Sequence, residues 1–183
     1  MRIELYIQER LGKYEEDSYQ KDRMRYVNVY IEEVLLNEEH ILRNMFEFYD
    51  YEFSQYLNFE VDKEGLFRRA PVTEYLSKDE YKSFFIKSTG TLLGFVIVKT
   101  TNSKLSFEIE QFFILKKYNG KGIGKQAAIQ IFDRFKGNWK VTQVESNYPA
   151  QEFWRNVIRS YSNNSYRESN DDKRRSIQEF NNA

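Results

Sequence analysis

The chain has no cysteine, a single histidine and only two prolines among 183 residues. The missing thiols exclude disulfides, thiolate metal sites, iron–sulfur clusters and a cysteine nucleophile together. A reducing cytosol is therefore the expected compartment. With one His, His40, and no Cys, no metal is expected, and His40 among its glutamates reads as a surface residue rather than a base. A long apolar run is also lacking, since Leu92 to Val98 falls far short of the ~20 residues needed to cross a bilayer. Residues Met1 to Arg23 are dense in charge and show no apolar leader segment. No charge sign dominates, with 28 Lys+Arg against 28 Asp+Glu. No global field then draws nucleic acid or an anionic membrane, neither is expected as a partner, and any anion preference must be local.

What is present suits a folded domain: 40% hydrophobic and 17% aromatic residues to bury, and 31% charged residues for a soluble surface. At this length a domain buries roughly 70% of the surface that its unfolded chain exposes. Residues 1–23 carry no chemical signal and are expected to be an N-terminal extension. Residues 24–183 are expected to form one domain.

Periodicity gives the element order. Arg25 to Ile31 alternates apolar and polar residues and predicts a strand. Asn37 offers a cap to a helix on which Ile41, Leu42, Met45, Phe46, Tyr49 and Phe53 share one face. Residues 60 to 80 predict a loop or short helix punctuated by Pro71. Three β-rich runs follow, Tyr81 to Ile86, Leu92 to Val98 and Leu105 to Leu115, with short turn-prone links that imply an antiparallel meander. Ile123 to Phe135 predicts a helix with Gly137 as its C-cap, Trp139 to Val144 a strand, and Pro149 opens a helix carrying Phe153, Trp154, Val157 and Ile158. The tail predicts a last hairpin around residues 171 to 175. This order implies an α+β fold.

The informative stretch runs from Phe112 to Ala128, where an apolar strand enters a loop with Gly120, Gly122 and Gly124 that opens a helix. The first amides of a helix have no internal partner, and its dipole adds partial positive charge. Such an end binds phosphate. The glycines allow a pyrophosphate close approach to the backbone, while Lys121 and Lys125 add cations. A Walker A loop fails on the glycine spacing and on Gln126. A dinucleotide fingerprint fits better, since Gly122, Gly124 and Ala127 match its pattern and Glu145 ends the next strand. Against it, Lys116 to Asn119 separate the strand from the first glycine, and the antiparallel meander is wrong for a doubly wound sheet.

Asn119-Gly120-Lys121-Gly122-Ile123-Gly124 resembles the acyl-CoA pyrophosphate loop of the GNAT (N-acetyltransferase) superfamily, [Gln/Arg]-x-x-Gly-x-[Gly/Ala], with Asn119 departing at the first position. Asn147-Tyr148-Pro149-Ala150-Gln151-Glu152-Phe153-Trp154 is similar to that family's Asn-x-x-Ala-x-x-[Leu/Phe]-[Tyr/Trp] helix. The resemblance is specific over about residues 80 to 160, is absent before Met24, and looks closest to bacterial predicted acetyltransferases without an assigned substrate. It implies a mixed, mostly antiparallel sheet whose splayed middle strands hold acetyl-CoA. Phe113, Ile114 and Leu115 would bind the pantetheine by backbone groups. Asn119, Gly120, Lys121, Gly122, Ile123, Gly124 and Lys125 would hold the pyrophosphate, with Asn147, Phe153 and Trp154 flanking the arm.

An alkyl ammonium must lose a proton before it attacks a thioester. Glu108 and Glu110 alternate on the strand and are read as sharing a face with Phe112 and Ile114. The resemblance favours Glu110 as the base, with Glu108 second. Trp154 stands where the family often has a Tyr acid, which leaves Tyr148, water or the helix end to serve the thiolate. Glu47, Tyr49, Asp50, Tyr51, Glu52 and Tyr56 make the first helix acidic and aromatic, which suits a cationic acceptor. The expected activity is acetyl transfer from acetyl-CoA to a primary amine of a small molecule or peptide, and a homodimer is compatible with it. The alternatives are a non-catalytic acyl-CoA-binding or regulatory domain and, less favoured, a dinucleotide-binding protein.

Overall fold

The computed structural model describes residues 28–101 and 105–183. Seven strands, β1 (Tyr30–Glu33), β2 (Tyr81–Ser88), β3 (Thr91–Thr100), β4 (Ser106–Ile114), β5 (Asn138–Gln143), β6 (Arg167–Asn170) and β7 (Ser176–Asn181), form one sheet in the order β1-β2-β3-β4-β5-β7-β6. Every pairing is antiparallel except β4 with β5. Four helices flank the sheet: α1 (Glu39–Ser54), α2 (Val72–Ser77), α3 (Ile123–Arg134) and α4 (Tyr148–Tyr161). This is the expected mixed, mostly antiparallel architecture with the meander in place. Residues 1–27, including the start of the strand expected from Arg25, lie outside the described residues.

Alternation along the strands divides two cores. Phe85, Phe95, Ile97 and Phe113 face α1 and α2, where Leu42, Met45, Phe46 and Tyr75 meet them. Phe84, Val96, Val98, Phe107, Ile109 and Trp139 face α3 and α4, against Ala127, Ile131, Phe132, Trp154 and Ile158. Each Val, Leu, Ile, Phe or Met among them contributes about 1.5–3 kcal/mol when fully buried. The Trp139 indole N–H also donates to the Phe135 carbonyl at 3.0 Å, so this buried ring keeps its polar group satisfied.

Two expected caps differ in the structure. Asn37 lies inside a 3-10 turn (Leu36–Glu38), where Glu38 reaches back to accept the Leu35 N–H at 3.0 Å, and α1 begins at Glu39, one residue later than a cap at Asn37 would place it. Gly137 lies beyond the end of α3, which closes at Phe135. Its φ of 153° and its closeness to Leu105, whose carbonyl oxygen a Cβ would meet at 2.2 Å, show a backbone crossing rather than a helix cap.

Candidate active site

β4 and β5 pair only from Ser106 with Asn138 to Ile109 with Val141. Beyond that point β4 continues to Ile114 and β5 to Gln143 without pairing to each other, so the sheet opens into a V at its centre. Along β4 the far side is still occupied: Phe113 pairs with Phe95 and Ile114 with Gly94. The Leu115 N–H donates to the Leu93 carbonyl at 2.8 Å. Backbone groups on a strand point alternately to its two neighbours, so Phe113 and Leu115 turn theirs to β3. The groups of Phe112 and Ile114 face the gap. Of the three residues expected to offer backbone contacts, Ile114 turns its groups to the gap, while Phe113 faces β3 and the Leu115 amide is already engaged. Gly94 makes this approach possible, because a Cβ there would sit 2.0 Å from the Phe113 carbonyl oxygen.

At the mouth of the gap, Gly120 and Gly122 have φ of 73° and 75°, a left-handed conformation that glycine adopts without strain. Gly122 is the N-cap of α3, no side chain caps the helix, and its first turn contains no acidic residue. Asn119, Gly120, Lys121, Gly122 and Lys125 are exposed while Ile123 is buried and anchors the turn. Lys121 lies over the Tyr118 ring at 5.8 Å, and Lys125 reaches Ser160 at 3.2 Å. The result is an exposed set of amide donors with cations beside it, the arrangement that a diphosphate requires.

α4 lines the other side. Phe153 lies against Gly124, where a Cβ would stand 3.1 Å from the ring, and its centroid is 5.8 Å from that of Phe112. Trp154 is 5% exposed and packs edge-on to Phe112 at 4.9 Å, a core position. Asn147 is the N-cap of α4, accepting the Ala150 N–H at 3.1 Å, so its side-chain oxygen has a structural task. Tyr148 is 70% exposed.

The two strand carboxylates differ from each other. The β3–β4 register shifts so that Ile97 pairs with Gln111 and Val98 with Ile109, leaving Glu110 as the extra residue of a β-bulge. The bulge reverses the alternation. Phe112 and Ile114 therefore join Phe107 and Ile109 on the α3/α4 side, while Gln111, whose amide donates to the Tyr75 hydroxyl at 3.3 Å, lies on the α1/α2 side. Glu108 and Glu110 thus do not share a face with Phe112 and Ile114, contrary to the simple period of two. Glu110 is half-buried, and desolvation pushes its carboxyl above the usual range, opposed by Lys99 and helped by Glu108 and Glu80. Glu108 instead pairs with Lys140 on β5 at 3.5 Å.

On the same side, α1 presents Tyr49 and Asp50. Tyr49 packs edge-on to Phe113 at 5.9 Å, and burial followed by the charge of Asp50 pushes its hydroxyl well above the ordinary range. Glu110 acts on this hydroxyl too. Asp50 is 4% exposed with its Oδ2 unpartnered, and burial, then Glu47, raise its carboxyl to about 6 against the pull of Arg69. Glu47 accepts the backbone N–H groups of Phe67 and Arg68 at 2.7 and 2.9 Å, fastening the loop after α1. Tyr51 is 72% exposed and points away, while Glu52 and Tyr56 are half-buried and His40 is exposed. Gln143, Gln111 and Gly94 were not signalled by any motif; only the bare glycine inside an apolar strand hinted at close backbone approach. Among the described residues no three His, Cys, Asp or Glu side chains are grouped to hold a metal ion, and no helix is long and apolar enough to cross a membrane.

The V-shaped opening, the glycine turn at its mouth and the strand order define an acetyltransferase-type fold. The chain belongs to the acetyltransferase (GNAT) family, whose model matches residues 41–157. No curated protein is significantly similar in sequence. Solved structures share the fold: an acetyltransferase from Thermus thermophilus aligns with a TM-score of 0.62 at 14% identity, covering 84% of this chain and 96% of that one. The PaiA N-acetyltransferase from Thermoplasma acidophilum, in complex with coenzyme A, aligns at 0.58 and 14%, covering 84% and 99%. The spermidine N-acetyltransferase from Vibrio cholerae, in complex with CoA and spermine, aligns at 0.60 and 10%, covering 86% and 97%. The dinucleotide reading is overturned by this sheet, and Glu145, which it required for a ribose, forms an ion pair with Arg174 at 2.6 Å.

Proposed function

We propose that the protein is an N-acetyltransferase that moves an acetyl group from acetyl-CoA to a primary amine of a small molecule or peptide. The observation that carries this reading is the gap between β4 and β5 with the uncapped glycine turn at its mouth. The turn from Asn119 to Lys125 suits the diphosphate, and the gap suits the pantetheine. The thioester supplies an activated acyl carbon. The backbone N–H of Ile114 is the donor best placed to stabilise the developing oxyanion, an effect worth a few kcal/mol in other acyl-transfer sites. Glu110, with its raised affinity for protons, takes the ammonium proton directly or through water, a role worth about 10²–10⁴-fold in rate. As the C–N bond forms and the C–S bond breaks, the nitrogen gives its second proton to solvent and the departing thiolate takes one from water or Tyr148, because the buried indole of Trp154 is no acid. Tyr49, Asp50 and Tyr75 border the acceptor side, where ring faces and a carboxylate favour a cation.

A second reading, a carrier-binding domain without turnover, is favoured by Trp154 in the place of a phenolic acid. Thermal shift with acetyl-CoA, CoA and NAD tests binding, since a ligand at 100 times its dissociation constant adds about 2.7 kcal/mol. Thiol release against a panel of amines then separates the two readings. Stabilisation by NAD alone contradicts both, and binding without thiol release supports the second.

A further inference from the structure

Gln143 lies two residues past the last β4–β5 pair, at the open end of the gap. On β5 the buried side chains Trp139, Val141 and Gln143 alternate with Lys140 and Thr142, which sets Gln143 on the face covered by α3 and α4. β7 occupies one flank, where Ser176 is its antiparallel partner, and on the β4 flank no strand pairs with it. The residue is 5% exposed, yet neither its Nε2 nor its Oε1 has a hydrogen-bond partner. Buried amides are almost always paired, so an orphan of this kind calls for an explanation.

The neighbouring polar groups sharpen the point. Arg155 of α4 donates to Glu168, whose Oε1 also accepts from Ser176 and from Gln178, each at 3.3 Å. Gln178 Nε2 donates to Ser176 Oγ at 2.9 Å, and the Gln178 Oε1 is left without a partner. This chain of hydrogen bonds runs beneath α4 and stops short of Gln143. The Gln143 amide, one donor group and one carbonyl acceptor, remains buried and unmatched at the edge of the gap, with the Gln178 acceptor on β7, the far side of β5. A secondary amide, with one acceptor and one donor, is its complement. The pantetheine arm carries two secondary amides and an aliphatic stem.

We propose that Gln143 is a positioning residue that reads an amide of the pantetheine arm, setting how deep the thioester sits between β4 and β5. The proposal rests on the acetyl-CoA reading above. It predicts that the affinity supplied by the arm, but not that supplied by the nucleotide, depends on this side chain.

The test is calorimetric titration of the full chain with CoA and with 3′-phosphoadenosine 5′-diphosphate, which keeps the diphosphate and lacks the arm. In Gln143→Met, which keeps the length and removes both hydrogen-bonding functions, CoA binding falls about tenfold or more. Nucleotide binding stays within twofold, and the ligand-free melting temperature does not fall. Unchanged CoA affinity, or equal losses for both ligands, overturns the proposal. If Gln143→Met does not fold, Gln143→Asn, which withdraws the amide by one methylene, gives the same ordering, and unchanged CoA affinity there overturns it equally. Wild-type protein that binds both ligands equally overturns this proposal alone. Wild-type protein that binds neither removes the acetyl-CoA reading together with it.

Discussion

Asp50 offers a perturbation whose size follows from the structure. Its carboxyl is 4% exposed, accepts a backbone N–H of Arg69, leaves Oδ2 unpartnered and is raised from 3.8 to about 6 by burial first and by Glu47 second. A folded-state value above the unfolded one means that folding favours the protonated acid. The stability contribution is fully present below the unfolded value near 3.8 and is lost as pH rises through about 6. The rise from 3.8 to about 6 is worth about 3 kcal/mol. Asp50→Asn keeps an acceptor for the Arg69 N–H and removes the charge. It should therefore stabilise the protein by about 2–3 kcal/mol at pH 8, or roughly 5–10 °C in melting temperature for a chain of this size, and by almost nothing at pH 4. Chemical denaturation of both proteins across pH 4–8 measures this. A variant less stable than the wild type at pH 8, or a difference that does not change with pH, refutes the reasoning. On the proposed function, which sets a cationic amine beside α1, Asp50→Asn should also raise the KM for the amine.

The strand carboxylates give a paired prediction. Glu110→Gln should lower kcat about 10²–10⁴-fold with acetyl-CoA affinity little changed. Because burial disfavours its charge, the same variant should be as stable as the wild type or more so near neutral pH. Glu108→Gln breaks a partly buried 3.5 Å ion pair and should cost about 1 kcal/mol or less, with turnover largely retained; the reverse ranking in a thiol-release assay would reassign the base. Gly122→Val puts a branched side chain at φ 75° with no atom within 4 Å of its Cβ, so the cost is backbone strain of about 1–3 kcal/mol, and CoA affinity should fall at least tenfold by titration. Gly94→Ala drives a methyl group to 2.0 Å from the Phe113 carbonyl oxygen and should destabilise by about 2 kcal/mol or more in denaturant; a neutral result would mean that β3 and β4 part easily.

Elements set by local periodicity were legible in the sequence. The helix with Leu42, Met45 and Phe46 inward, the meander and the glycine turn all appear where the pattern places them. Features that depend on two segments at once were not. The bulge at Glu110 is a property of the β3–β4 register, and no pattern within β4 reveals it, so the face shared by Phe112 and Ile114 was read on the wrong side. The Leu115 amide, expected to be free, is taken by Leu93 of the next strand. Asn37 falls within a 3-10 turn closed by Glu38 on the Leu35 N–H and so caps nothing, and Asn147, a cofactor contact by the resemblance, also caps α4. Glu47 and Asp50 were read as an acidic helix face, whereas each also holds backbone N–H groups of the 67–69 segment.

The most direct measurement is a crystal structure of the full chain grown with CoA. The account predicts the diphosphate on the N–H groups of Gly120 to Lys125 and the pantetheine between β4 and β5, its sulfur on the Glu110 side of the sheet. A diphosphate bound elsewhere, or a pantetheine that lies outside the gap between β4 and β5, would contradict the account.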